Sequence, residues 1–269
     1  MPELPEVEVV KRSLDKKILN LIIKKVKIVE GNLRYKINKH QISKLKGAKF
    51  IKIERRSKFL IFHTDKNFIM LVHLGMTGKF FFIDENKKKF KTSFYYNLDK
   101  KKDNKHDRVI FFLKGGQKLI YNDVRKFGFI KFYRNKKYYN SSHLQYLGPE
   151  PLGKNWNFKY FKKFTSSRKR NTKDILMDQK FISGLGNIYV NEILFLSGVL
   201  PTRKIQKLNS KEIEIIIKNT KKILKSSIKF GGSTIKDFLI ENGKKGLFQQ
   251  HFRVYGRKGK KCSNTDCNT

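Results

Sequence analysis

Acidic residues are scarce in this chain: 22 Asp and Glu stand against 62 Lys and Arg over 269 residues, a formal charge of +40. Cysteine is scarcer still. The two present, Cys262 and Cys267, lie within the last eight residues, so no disulfide framework is implied. Long apolar runs are missing too. The longest, such as Phe68-Ile69-Met70-Leu71-Val72, are strand-sized and far too short to span a bilayer. The N-terminus carries acidic residues where a signal peptide needs a cationic start and an apolar stretch. No internal repeat is visible. These absences argue against a membrane or secreted protein and leave a soluble, cytoplasmic one as the expectation.

What is present points to a polyanion. A pI near 10.2 suits a partner whose phosphates the protein neutralises, releasing counterions. A second source of charge competes, because the chain is also rich in Ile, Asn, Phe and Tyr, as AT-rich coding would produce alongside Lys. Nucleic acid remains the favoured partner. Hydrophobic residues make up only 39%, but 23 Phe and 11 Tyr supply large surfaces to bury. The length suffices for two domains with cores of their own.

The first six residues, Met1-Pro2-Glu3-Leu4-Pro5-Glu6, hold the strongest chemical signal. Removal of Met1 would leave Pro2 as a secondary amine, which can attack a sugar C1′ and become an iminium directly. Glu3 follows at once as a carboxyl for acid–base work. The same residues also read as a helix start, with Pro5 in the first turn and Glu6 and Glu8 at the positive end of the dipole.

Val7, Val10, Leu14 and Ile18 recur at helical spacing, predicting one amphipathic helix. From about Leu21 to Tyr133 the pattern changes to short strands: Ala48–Ile53, Lys58–His63, Phe68–His73, Lys79–Ile83, Val109–Leu113, Lys118–Tyr121 and Phe129–Tyr133. Gly115-Gly116 between two apolar runs is a hairpin signal. Asn86–Lys91 and Asp99–Lys105 read as exposed loops. Beyond Gly148-Pro149-Glu150-Pro151 the period is helical: Phe158–Phe164, Thr172–Gln179, Gly186–Ser197, Ser210–Phe230 with Ser210 as N-cap, and a short helix near Thr234. The expected class is α+β: an N-terminal antiparallel β-sandwich with an amphipathic helix, then an all-α domain. The boundaries predicted are 1–135 for the sandwich, 136–153 for a linker, 154–245 for the helical domain and 246–269 for a tail.

Six stretches in order, Met1–Glu6, Arg55–Leu60, His73–Gly78, Asp123–Gly128, Asp178–Glu192 and His251–Arg257, resemble the bacterial formamidopyrimidine-DNA glycosylase family. The resemblance implies a base-excision-repair enzyme for oxidised purines, 8-oxoguanine and formamidopyrimidines, that also cleaves abasic sites through a Schiff base on Pro2. It implies Glu3 and Lys58 as further catalytic residues. Base extrusion leaves a hole in the duplex. The resemblance makes Met76, Arg125 and Phe127 its fillers, with Arg125 a donor fork for the orphaned base and Phe127 an apolar wedge. Lys126 stands where the family usually has a second arginine. Gly184-Leu185-Gly186-Asn187-Ile188-Tyr189 resembles the turn and helix start of a helix-two-turn-helix module, with Asn187 and the helix N-terminus offered to one phosphate. His106, Arg168, Lys169, Lys173 and Arg257 are further DNA-binding candidates.

The family ends in a zinc finger with two cysteine pairs and one zinc per chain. Here Cys262 and Cys267 supply half a site, spaced by four residues, and the sequence stops at Thr269. Nothing in the spacing of His251 recommends it as a third ligand. The expectation is weakly held or absent zinc, a partial finger and a slow second elimination. Expected partners are double-stranded DNA with oxidised purines or abasic sites, and no membrane. A nucleoid-associated bacterial monomer fits. Three other readings compete: a disabled DNA-binding relic of the family, a ribosome-associated basic protein, and an oxidised-pyrimidine glycosylase of the endonuclease VIII type. Leu4 and Phe127 argue against the last, and retained Pro2, Glu3 and Lys58 separate an enzyme from a mere binder.

Overall fold

Leu4, Val7, Val10, Leu14 and Ile18 form the buried stripe of the first helix, α1 (Leu4–Ile18), with Pro5 in its first turn and Lys16 and Lys17 in its last. The computed structural model describes residues 1–86, 89–91, 103–233, 248–263 and 267. After α1 come β1 (Ile23–Ile28), α2 (Lys39–Ser43), β2 (Phe50–Arg56), β3 (Phe59–Thr64) and β4 (Phe68–His73). Then follow β5 (Lys79–Ile83), β6 (Lys89–Lys91), β7 (Asp107–Leu113), β8 (Lys118–Asn122) and β9 (Phe129–Arg134). They form two antiparallel sheets, β1-β7-β8-β5-β6 and β2-β3-β4-β9.

The core between the sheets is strongly aromatic. Phe50, Phe62, Phe80, Phe111 and Tyr121 are fully buried and touch ring to ring. Burying each contributes about 1.5–3 kcal/mol. The unbroken run in β4 has its own cause. Met70 and Val72 face the sandwich, while Ile69 and Leu71 face a second cluster with Tyr138 and Leu144, so both faces are covered.

Most expected elements are present, and the differences have physical reasons. β1 was not expected, because a bulge between Ile23 and Lys25 breaks its alternation. Lys89–Lys91 is strand and not loop, paired to β5 at the sheet edge, where lysine-rich sequence guards against stray pairing. Of the second expected loop, Asp103–His106 is a 3-10 turn. Gly115 and Gly116 do join β7 to β8, both at positive φ.

The second half holds α3 (Phe158–Thr165), α4 (Thr172–Leu176), α5 (Asn187–Leu196) and α6 (Ser210–Lys229) around a separate core that includes Trp156, Phe181 and Ile193. α4 stops short of Gln179, where the Asp178 carboxylate accepts the Lys180 N–H and draws the chain into a turn. Asn209, not Ser210, caps α6. Its side chain accepts from Glu212 N–H at 2.9 Å and Glu212 returns the bond at 2.8 Å, a reciprocal box that Ser210, three residues before Ile213, could not make. The helix expected near Thr234 lies outside the described residues.

Candidate functional site

The two halves meet at the N-terminus. Leu4 N–H donates to the Gly184 carbonyl at 3.0 Å, drawing the start of α1 against the start of α5. The Glu3 carboxylate then accepts from three backbone amides there: Gly186 at 2.7 Å, Ile188 at 2.9 Å and Tyr189 at 3.4 Å. A Cβ at Gly186 would fall 2.6 Å from the Glu3 carboxyl, so only glycine allows this approach. Sequence reasoning offered that helix N-terminus to a DNA phosphate. In the structure three of its amides hold Glu3 instead, while the Asn187 side chain is exposed and accepts from Asn191 at 3.3 Å.

Helix amides and a dipole favour an ionised carboxylate, yet burial wins at Glu3. Desolvation is the largest influence and Glu6 adds to it. Lys58 and the amide bonds oppose, and the net result is a carboxyl raised to about 7. Glu6 is buried as well. It accepts from Glu3 N–H at 3.0 Å, from the Tyr189 hydroxyl at 2.6 Å, and from Ser233 N–H and Oγ at 2.8 Å each. Burial raises its carboxyl too. Sequence reasoning had given Glu6 only a helix-dipole role.

Lys58 shares this pocket. Burial lowers its ammonium, against the pull of Glu3 and Glu6. Pro2 is buried, and the Met1 α-amine is lowered by burial, with Glu3 and Glu6 opposing and Lys58 and Arg125 reinforcing. The structure therefore groups Pro2, Glu3 and Lys58, with Arg125 within electrostatic reach.

Lys58 follows Ser57, which adopts φ +56 in the β2–β3 turn. A half-buried clamp holds that turn. Glu150 accepts from Ser57 N–H at 2.6 Å, from both Arg55 Nη atoms at 3.2 and 2.8 Å, and from Arg56 Nη1 at 3.1 Å. Arg55 also reaches Glu8 and the Ser57 carbonyl, each at 2.9 Å. Arg56 reaches Ser183 Oγ and the carbonyls of Leu147 and Gly148. Burial would raise the Glu150 carboxyl, but the Arg55 charge and these bonds outweigh it and hold it low.

Met76 and Phe127 are 36% and 47% exposed, at the tips of the β4–β5 and β8–β9 connections. Arg125 lies 4.5 Å over the Phe127 ring. Beneath them Asp123 accepts from Thr77 Oγ1 and from Gly128 N–H at 2.8 Å, while Thr77 Oγ1 accepts Arg125 N–H at 3.0 Å. Both loops are thus tied to one buried carboxylate, which sequence reasoning missed. Gly75, at φ +61, lies so close to Gly128 that any Cβ would sit 2.4 Å from its nitrogen. His73 Nδ1 accepts Gly75 N–H at 3.1 Å, and burial lowers that imidazole to about 4. Lys126 pairs with Glu30 at 3.0 Å.

The remaining candidates lie further out. His106 is half-buried beside Arg108. Arg168, exposed after α3, stacks 4.0 Å over Phe164, and Lys169 beside it is exposed. Lys173 is half-buried on α4. Arg257 is half-buried and donates to the Lys261 carbonyl at 3.1 Å. Cys262 and Cys267 are half-buried, and His251 packs against Phe230 with ring centroids 4.7 Å apart. Among the described residues no three His, Cys, Asp or Glu side chains are grouped to hold a metal.

A carboxyl held between the two halves beside a buried lysine, with Met76 and Phe127 exposed on nearby loops, defines a class of two-domain protein with titratable groups enclosed at its N-terminus. The family model for the formamidopyrimidine-DNA glycosylase N-terminal domain matches residues 1–130, and that for the H2TH domain of the same glycosylase matches residues 147–239. A formamidopyrimidine-DNA glycosylase of Rickettsia felis is 38% identical over 268 residues, covering 98% of this chain and 90% of that protein. One of Rickettsia bellii is 37% identical over 262 residues, covering 97% and 90%. A Lactococcus lactis FPG mutant in complex with a Fapy-dG containing DNA is similar with a TM-score of 0.83 and 32% identity, over 98% of this chain and 92% of that one. A Lactococcus lactis Fpg complex with an abasic site containing DNA has a TM-score of 0.83 and 31% identity, over 98% and 91%. The chain belongs to the formamidopyrimidine-DNA glycosylase family.

Proposed function

We infer that this chain is a bifunctional DNA repair enzyme: a glycosylase that removes oxidised purines and a lyase that cleaves the resulting abasic site. The observation that carries the reading is the Glu3 carboxyl, buried on the α5 amides and titrating near 7 beside Lys58. A binding protein has no use for such a group. An enzyme that must give a proton in one step and take one in the next does.

Removal of Met1 would free the Pro2 amine in the same pocket. Its lone pair attacks C1′, the C1′–base bond breaks with its electron pair on the base, and the base takes up the proton that the Pro2 nitrogen gives up. Protonation and opening of the C1′–O4′ bond by neutral Glu3 gives the iminium. Loss of a C2′ proton to the Glu3 carboxylate then expels the 3′ phosphate as the C3′–O bond breaks. Lys58, as an ammonium, neutralises phosphate charge beside that step. Met76, Arg125 and Phe127 fill the space of the extruded nucleotide, and Arg168, Lys169, Lys173, His106, Asn187 and Arg257 hold the backbone.

Zinc is expected of the family, but the residues present do not fit a structural zinc site. Two cysteines make half the tetrahedron, and His251 is engaged with Phe230. Borohydride trapping on a duplex containing 8-oxoguanine, followed by peptide mapping, tests the reading. The expected adduct is on Pro2. An adduct on Lys58 alone, with the Pro2 peptide unmodified, would overturn the assignment of the nucleophile, and no adduct at all would overturn the lyase.

A further inference from the structure

Glu192 lies on α5, about one turn beyond the Ile188 and Tyr189 amides that hold Glu3, and it is 4% exposed. Its carboxylate accepts from three successive backbone amides of the C-terminal segment: Arg253 at 2.9 Å on Oε2, then Val254 at 3.0 Å and Tyr255 at 2.8 Å on Oε1. Successive N–H groups that converge in this way make an anion nest, and a carboxylate in it forms charge-assisted bonds about twice as strong as neutral ones. Beyond the nest the chain turns twice. Arg257 N–H donates to the Val254 carbonyl at 3.3 Å and Lys260 N–H to the Arg257 carbonyl at 3.1 Å, with Gly256 and Gly259 at φ +70 and +75. Arg253, Arg257, Lys258, Lys260 and Lys261 line the open cradle so formed.

We propose that Glu192 is a positioning residue that docks the basic turn Arg253–Lys261 onto the helical domain without a metal ion. In a metal-folded finger, ligand binding supplies the folding energy. Here the residues present do not complete such a site, and a buried carboxylate from α5, Glu192, grips this segment. Phe252 and Phe248 add an edge-on ring contact at 5.7 Å, so an apolar contact backs the polar one. The docking stands on its own, and only the assignment of DNA as the anion in the cradle rests on the repair reading.

Amide hydrogen exchange of the whole chain, without DNA, tests the docking. The amides of Arg253, Val254 and Tyr255 keep the same protection with and without EDTA, and Glu192→Ala removes it. Glu192→Gln retains one acceptor oxygen, so it keeps protection at Val254 and Tyr255 and loses it at Arg253. This milder variant decides the matter if the alanine variant fails to fold. Loss of protection on adding EDTA, restored by zinc, would overturn the proposal, as would unchanged protection at all three amides in both variants. In the DNA arm, Glu192→Ala weakens binding to an abasic-site duplex roughly tenfold. Adding Arg257→Ala to it then costs nothing more, since an undocked turn no longer presents that charge. Additive losses would show that Glu192 acts elsewhere and overturn the proposal. The exchange arm contains no DNA, so absent excision would count against the repair reading alone.

Discussion

The Glu3 pocket and the Met76–Arg125–Phe127 loops sit near one another and are built in opposite ways. In the pocket every carboxyl oxygen of Glu3 and Glu6 has a buried partner. In the loops the apolar side chains face water and the hydrogen bonds run underneath, to Asp123. Chemistry near neutral pH needs a carboxyl moved out of its ordinary range, and burial is the means. On the proposed reading the loops act as a wedge, which needs an open surface until DNA arrives and a rigid base so that its apolar tip does not collapse inward.

Breaking the pocket should have the largest effect. Glu3→Gln keeps the shape and the DNA binding but removes the proton, and base excision should fall by roughly 10²–10⁴-fold in single-turnover assays. The same variant should change stability with pH. Because the folded chain holds the Glu3 proton up to about pH 7 against an ordinary 4.5, the unfolded chain binds fewer protons between those values. Stability from this group is therefore greatest below about pH 4.5 and declines as pH rises to about 7, by on the order of 3 kcal/mol. Urea titrations should find a smaller decline in Glu3→Gln than in the native chain, the remainder coming from the Glu6 carboxyl that burial also raises.

The clamp behind Lys58 comes next. Glu150→Ala leaves Arg55, Arg56 and the Ser57 N–H without their shared acceptor, and should lower stability by about 2–4 kcal/mol in denaturant melts. Glu150→Gln should recover part of this. Recovery to the native value would show that charge at the clamp is unimportant.

Phe127→Ala sharpens the contrast from the other side. It should leave stability within about 0.5 kcal/mol, as expected of an exposed site, and lower excision from intact duplex about tenfold. Cleavage of a preformed abasic site should change less. Equal loss on both substrates would make Phe127 a packing residue. The smallest effect belongs to Lys169→Ala, which should reduce the salt slope of DNA binding by about one without changing lesion preference.

Local pattern was the legible part of this chain. Pro2 and Glu3 stand adjacent, Gly115-Gly116 marks its hairpin, and α6 shows its period over 20 residues. What escaped is long-range pairing. Nothing near Glu3 in sequence announces that its partners lie on α5, and Glu150 is 93 positions from the Ser57 amide it accepts. Lys126 stands where the family usually has a second arginine, and its partner, Glu30, lies 96 positions away. Charged residues read as solvated surface until the fold supplies the other half of the pair. Asp123, Glu150 and Glu192 are all of this kind.

The bond between Glu3 and Gly186 joins residues 183 positions apart. On a ribosome adding about 5–20 residues per second, the start of the chain therefore waits roughly 10–40 s for the helix that will enclose it. During that interval the Met1–Pro2 bond lies open to an aminopeptidase, and afterwards Pro2 is packed away. Order of manufacture thus leaves a time window for unmasking the amine. A chain refolded in vitro with Met1 still attached should resist trimming that the nascent chain accepts, and rapid trimming of the refolded form would show that the enclosure opens.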